Sequence, residues 1–188
     1  MRLIVFVIVI VIVALRASPL TAAPLLYLMN VRQEIINRLR ATKRANIESV
    51  IEYMDRHGFF TRSCHSHHKY RGGLAHHAWQ TYQLAMASAS PSLDADSVAI
   101  ASLLHDFCDC SGLDHLDGHG RRSAGMLKQL GFILPHEEYL AIRFHMKLEN
   151  KKGHRSYHDA LHSPLRHLVH AADVKSAGLC TGYEAGGC

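Results

Sequence analysis

Residues 95–106, ADSVAIASLLHD, place a histidine and an aspartate directly after an apolar run. The run predicts a buried helix, capped by Asp94 or Asp96, whose apolar residues are Val98, Ile100, Ala101, Leu103 and Leu104. An uncompensated carboxylate at the end of such a helix would be costly to bury. A divalent cation bound by His105 and Asp106 would offset that cost. The segment therefore predicts a helical core that ends in a metal site.

Helical periodicity extends from Asn30 to Gly178, with no alternating strand pattern and no internal repeat. The first helix is predicted to run from Asn30 to Gly58. Later boundaries are marked by turn and cap residues, namely Ser90-Pro91-Ser92, Gly131, Pro135 and Ser163-Pro164. We predict one all-α domain, residues 29–178, built as a bundle of five or six helices. The Gly-rich tail, residues 179–188, is predicted to be loose.

The composition narrows the class of protein. The 188 residues suit one ordinary domain, and a hydrophobic content of 48% excludes wholesale disorder. A net charge of +5 suits a small anionic substrate and does not favour a nucleic-acid surface. Five cysteines without a paired CxxC motif support neither a disulfide framework nor a cysteine zinc site. Sixteen histidines are the first functional indication, because imidazole binds metals and carries protons near neutral pH.

The first 28 residues have a different composition from the rest. An apolar run, Leu3–Leu15, lies between Arg2 and Arg16 and is shorter than the roughly 20 residues of a spanning helix. It is consistent with a secretory leader, with a membrane anchor, or with an upstream extension before a true start at Met29. The last interpretation implies a cytoplasmic protein, and the others imply export or membrane anchoring. Contact with a membrane is expected only if residues 1–28 are an anchor.

We expect residues 1–28 to be dispensable for folding and for metal binding. The motifs that carry chemistry all lie after residue 57, and the Leu3–Leu15 run lacks the amphipathic period needed for docking onto a bundle. Expression of residues 29–188 beside the full chain, followed by cell fractionation and metal analysis, tests this expectation. An insoluble or metal-free 29–188 protein beside a soluble, loaded full chain would show that the segment belongs to the fold.

Two further segments carry residues that bind metals. Asp173 lies in an apolar helix between Leu165 and Ala177, where core packing alone would not select a carboxylate. His77 falls in the first turn of the helix that follows Gly72-Gly73. Mixed histidine and carboxylate ligation suits Mn²⁺, Fe²⁺ or Zn²⁺ and, less well, Mg²⁺.

In order and spacing, His77, His105-Asp106 and Asp173 resemble the H…HD…D signature of the HD-domain superfamily of metal-dependent phosphohydrolases. The local segments agree with that signature: GGLAHH (72–77), SLLHD (102–106), HG (119–120), AIRFHM (141–146) and AAD (171–173). The resemblance covers residues 50–178 and implies a helical bundle whose four ligands converge on one divalent ion (Mn, Fe, Zn, Ni, Co or Mg). It also implies that His119 and His145 are ligands of a second metal or phosphate contacts.

The resemblance implies an enzyme that hydrolyses a phosphoester, of a nucleotide or a related phosphate. A bound divalent ion lowers the pKa of its water toward ~7 and polarises a phosphoryl oxygen, and Asp106, beside His105, would accept a proton or bridge a second ion. Arg121 and Arg122 are interpreted as contacts to phosphate oxygens or as the solvated face of a helix. His65, His67 and His68 are expected at the rim of the pocket. The alternatives are a hydratase or oxygenase on the same scaffold, and a nucleotide-sensing module that has lost turnover.

One position departs from the pattern of the superfamily. Many members carry a lysine three residues after the motif aspartate, whereas this chain has Asp109. A carboxylate cannot make the phosphate contact that the lysine would make. Asp109 is interpreted as a base, a second-metal ligand or a solvated loop acid, and the missing lysine favours the sensing module.

Overall fold

The computed structural model describes residues 19–108, 118–146 and 156–181, and these form α-helices with no strand. In chain order the eight described helices are α1 (Pro19–Ala41), α2 (Ile47–Arg56), α3 (Gly73–Ser88), α4 (Ala95–Leu104), α5 (His119–Gln129), α6 (His136–Arg143), α7 (Tyr157–His162) and α8 (Pro164–Thr181). The prediction of an all-α bundle is confirmed.

The described part of the chain has more helices than the five or six predicted, for two reasons. The stretch predicted as one helix up to Gly58 is divided into α1 and α2, because Lys43 and Asn46 adopt left-handed φ values of 52° and 61°. The apolar stripe continues across this turn, so periodicity does not reveal the break. The second addition is α7, whose six residues bury Ala160 and are too few to show a periodic pattern.

The described helices extend beyond the residues over which the periodic pattern is clear. Helix α1 begins at Pro19, before Asn30, and α8 continues to Thr181, past Gly178. The Leu3–Leu15 run and most of the predicted tail lie outside the described residues. None of the helices that the structure describes is long and apolar enough to cross a membrane.

Helix α4 forms the centre of the bundle. Every residue from Val98 to Leu104 is buried, and the helix packs against α1, α3, α6 and α8. Its N-cap is Asp94, one of the two predicted, whose side chain accepts a hydrogen bond from the Ser97 amide at 2.7 Å. A helix that is apolar all round has to be enclosed. Its C-terminal end therefore delivers His105 and Asp106 to the interior.

Two glycines allow the close approaches on which the interior depends. A Cβ on Gly120, in the first turn of α5, would lie 2.5 Å from the Ile142 carbonyl oxygen and 2.6 Å from that of Arg143. A Cβ on Gly73 would lie 1.9 Å from the carbonyl oxygen of His68. Because glycine has no side chain, α5 can pack against the end of α6, and the loop before α3 can pack against the start of α3.

Candidate metal centre

The four residues predicted to hold a metal come together from three helices. His77 lies in α3, His105 and Asp106 directly follow α4, and Asp173 lies in α8, and all four side chains are buried. The His77 Nε2 atom is 3.1 Å from the His105 Nε2 atom and 3.1 Å from the Asp173 Oδ1 atom. The Asp106 Oδ2 atom is 3.4 Å from His105 Nε2. Potential ligand atoms thus surround one small volume.

A second group of potential ligand atoms faces the other carboxylate oxygen of Asp106. The Oδ1 atom is 3.3 Å from His119 Nε2 and 3.4 Å from His145 Nε2, and these two nitrogens are 2.8 Å apart. His119 begins α5 and His145 follows α6. The contact at Gly120 joins these two elements. Asp106 therefore faces both groups, one with each carboxylate oxygen.

Backbone acceptors fix the tautomers of two of these histidines. The His105 Nδ1 atom is 2.8 Å from the Ser102 carbonyl oxygen, and the His145 Nδ1 atom is 2.8 Å from the Ile142 carbonyl oxygen. A carbonyl oxygen only accepts hydrogen bonds, so each Nδ1 carries a hydrogen and donates it. Whenever such a ring is neutral, it presents an Nε2 lone pair to the shared volume, as a metal-ligating histidine does.

Ser176 does the same for His77. Its Oγ atom is 3.0 Å from His77 Nδ1 and donates to Gln80 Oε1 at 3.2 Å, so it accepts the His77 Nδ1 hydrogen. Sequence reasoning missed Ser176, although its spacing of three residues from Asp173 on one helix places the two on neighbouring positions of one face. His170, three residues before Asp173 on the same helix, donates from Nδ1 to the His145 carbonyl oxygen at 2.5 Å.

Replacing Ser176 with alanine should weaken metal binding about 10- to 100-fold, because His77 loses the acceptor that orients its ring. Titration of the metal-free full chain with Mn²⁺ measures the change. Ser88→Ala, at an exposed position at the end of α3, is the matched control and should leave the affinity unchanged. Equal affinities for Ser176→Ala and the unmodified chain would contradict the positioning role.

The two carboxylates are held in the charged form. Burial opposes the charge of Asp106, but the neighbouring histidines, His105 first among them, outweigh burial and hold the pKa of Asp106 well below its ordinary value. His105 and His77 lower the pKa of Asp173 against burial in the same way. Burial by itself lowers the pKa of His105, but Asp106 and Asp173 outweigh it and raise that pKa well above its ordinary value. Without a metal, His105 therefore carries a proton.

Metal binding at neutral pH should release that proton. Because the pKa of His105 is raised, the proton is present below the raised value and is lost only as the pH rises through it, so metal affinity should fall on acidification. Calorimetric titration with Mn²⁺ in two buffers of different ionisation enthalpy measures the release, expected to be about one proton per His105. A binding heat that is the same in both buffers would contradict it.

A further observation indicates that the centre suits a cation. Asp106 Oδ1 is buried, and no donor among the described residues reaches it in hydrogen-bonding geometry. A buried carboxylate oxygen without a partner is costly, and a divalent ion between Oδ1 and the two facing imidazoles would remove that cost. Four imidazoles with two carboxylates suit Mn²⁺, Fe²⁺ or Zn²⁺ better than Mg²⁺.

A histidine-rich loop borders the first group. The His67 ring is 4.4 Å from the His77 ring between centroids, and its Nδ1 atom is 3.1 Å from His68 Nδ1. The His68 Nε2 atom is 3.0 Å from Gln80 Oε1. Burial lowers the pKa of His67 and that of His68 to about 4, so both rings are neutral at pH 7. His65 is exposed.

The structure describes two of the three predicted substrate contacts, Arg121 and Arg122, and places both on α5. Arg121 is exposed and lines a separate cavity, and Arg122 is half-buried on the next position of α5. Asp109 falls in the stretch 109–117, outside the described residues. The roles of these three residues toward a substrate stay predictions.

Comparison with protein-family models, with curated proteins and with solved structures found no match to this chain. The resemblance to HD-domain phosphohydrolases therefore depends on the motifs themselves and on the geometry of the buried histidine and aspartate side chains, which are close enough to hold a metal ion.

Proposed function

We propose that this chain is a metal-dependent phosphohydrolase of the HD-domain type, acting on a phosphoester of a nucleotide or a related phosphate. One observation carries the proposal: six side chains direct lone pairs into two adjacent groups that share Asp106. A carboxylate that faces two ligand groups is what a two-ion site requires. Phosphoryl transfer is the chemistry that such sites serve most directly.

The residues divide between two ions. His77, His105 and Asp173 would hold the first, His119 and His145 the second, and Asp106 would be shared by both. When bound, the ions supply Lewis acidity that activates water and polarises a phosphoryl oxygen. The hydrogen bonds with Ser102, Ile142 and Ser176 fix the orientation of three imidazole rings. These rings would therefore move little when the ions bind.

The open side of the site indicates where a phosphate would approach. The side chains of His77, His105 and His145 are almost fully enclosed, whereas that of His119 is 14% exposed. His67 is also half-buried beside His77. A small anionic substrate would therefore reach the ions past His119 and His67, and the net charge of +5 favours its approach.

Elemental analysis of the purified full chain, followed by a hydrolysis screen, tests the proposal. We expect a bound transition metal and release of phosphate or a phosphomonoester from members of a nucleotide panel with added Mn²⁺. EDTA should abolish the release, and Mn²⁺ should restore it. A metal-free protein would reject the metal site itself. A metal-loaded protein that binds nucleotides without hydrolysing any phosphoester would reject the enzyme and favour a sensing module.

A further inference from the structure

A cavity of about 650 Å³ lies between α5, α6 and the loop that joins them. Its wall is apolar and aromatic, with Phe132, Leu134 and Tyr139 contributing side chains. Its basic side chains are Arg121, Lys128 and Arg143, and none of the described lining residues is acidic. The volume falls in the range of small-molecule sites in proteins.

This cavity lies on the opposite side of α5 from the metal centre. Arg121, Gly125 and Lys128 line it, and their spacing of four and three residues places them on one face of the helix. At about 100° per residue, Arg121 lies about 200° around the axis from His119. A ligand in the cavity would therefore not touch the His119 ring or the other metal ligands.

Two of the charges in the cavity, those of Arg121 and Lys128, are available to a ligand. Arg121 and Lys128 are exposed, and neither forms an ion pair with any residue in the ranges that the structure describes. They are separated by about 10 Å along the helix axis. The guanidinium of Arg143 lies 5.7 Å from the centroid of the Tyr139 ring, so a positive charge adjoins an aromatic surface.

An apolar side chain next to these cations is left in solvent. Ile133 lines the cavity and is 73% exposed, while its neighbour Phe132 is buried beneath. A molecule that carried only negative charge would leave this surface uncovered, and a purely apolar molecule would leave Arg121 and Lys128 unpaired. The cavity therefore matches a molecule with an anionic group joined to an apolar or aromatic body.

We propose that this cavity is a second ligand site, which binds an organic phosphate with an aromatic body, of the nucleotide class. Arg121 and Lys128 would contact the phosphate oxygens, and Tyr139, Phe132 and Ile133 would cover the ring. The site requires no metal ion, so its existence is independent of the phosphohydrolase activity proposed above. Its volume lies within the roughly 300–1,000 Å³ of small-molecule pockets, which favours a small molecule as the occupant.

Fluorescence titration of the full chain with N-methylanthraniloyl-ADP in EDTA tests the proposal, because the chelator removes metal-dependent binding. We expect saturable binding that Lys128→Glu weakens at least about tenfold through charge reversal. Gly125→Phe should also abolish binding by filling the cavity. A Cβ on Gly125 meets nothing within 4 Å, and replacing a helical glycine does not reduce helix propensity, so this variant should fold.

Two controls separate this site from the rest of the molecule. Lys175→Glu, at an exposed position of α8, and Asp55→Ala, at an exposed position of α2, should both bind the probe as the unmodified chain does. No binding to the full chain, or binding by Lys128→Glu or Gly125→Phe that is as tight as that of the unmodified chain, would overturn the proposal. A loss of binding in Lys175→Glu as large as that in Lys128→Glu would overturn it as well, since binding would then follow the net charge of the chain. So would a change in oligomeric state with Gly125→Phe without probe binding, since the cavity would then be a contact between copies.

Discussion

Replacing Asp106 with alanine should remove metal from both ion positions and lower phosphoester hydrolysis about a thousandfold or more. Its Oδ2 atom faces His105 and its Oδ1 atom faces His119 and His145, so one substitution deletes a ligand of each group. The substitution also removes one of the two negative charges that raise the pKa of His105, the other being that of Asp173. Metal per chain, measured by elemental analysis, and Mn²⁺-dependent phosphate release are the two readouts.

Asp55→Ala is the matched control for that substitution. Asp55 is an exposed aspartate whose partner is Arg32, and it lies on α2, which contributes no metal ligand. Its loss should leave metal content and turnover unchanged, because a surface ion pair contributes little to stability. Full metal occupancy with unreduced turnover in Asp106→Ala would reject the assignment of the centre.

Replacing Gly120 with alanine should remove the second ion while the first is retained. The added Cβ would lie 2.5 Å and 2.6 Å from the carbonyl oxygens of Ile142 and Arg143, and these backbone atoms cannot yield cheaply. Helix α5 has to move away from the end of α6, which separates His119 from His145. The free energy of unfolding should fall by about 2 kcal/mol, as in other overpacked contacts. Urea unfolding and metal stoichiometry measure the two effects.

Gly125→Ala provides a control within the same helix. A Cβ on Gly125 meets no atom within 4 Å, so the substitution should raise stability by about 0.5–1 kcal/mol through helix propensity and leave the metal content unchanged. If Gly120→Ala keeps the stability and metal content of the unmodified chain, the close contact between α5 and α6 does not position the second ligand group.

The buried helix α4 was predictable because several independent features of its sequence indicate the same structure. The apolar run from Val98 to Leu104, the cap at Asp94 and the His105-Asp106 pair all agree on one enclosed helix that ends at a site. Asp173 was predictable for a related reason, since a carboxylate within an apolar helix needs a partner. The convergence of these side chains with His77 follows from the motif and is what the structure shows.

Other features carried no signal in the sequence. Periodicity reports which face of a segment is buried and not where the chain turns, so the left-handed Lys43 and Asn46 could not be identified as the break between α1 and α2. Nothing in the sequence distinguishes Ser176 from other helical serines, because its contact with His77 depends on the packing of α8 against α3. The face with Arg121 and Lys128 has the pattern of a solvated helix, and its cavity exists only because the loop after α5 folds beside it.

Crystals of the full chain soaked in Mn²⁺ would show whether two ions share Asp106, by locating the ions through their anomalous scattering. Two peaks are expected, one on each side of the Asp106 carboxylate. One lies within coordination distance of His77, His105 and Asp173, and the other within coordination distance of His119 and His145. Manganese bound only at other residues, or no peak at Asp106, would contradict this arrangement.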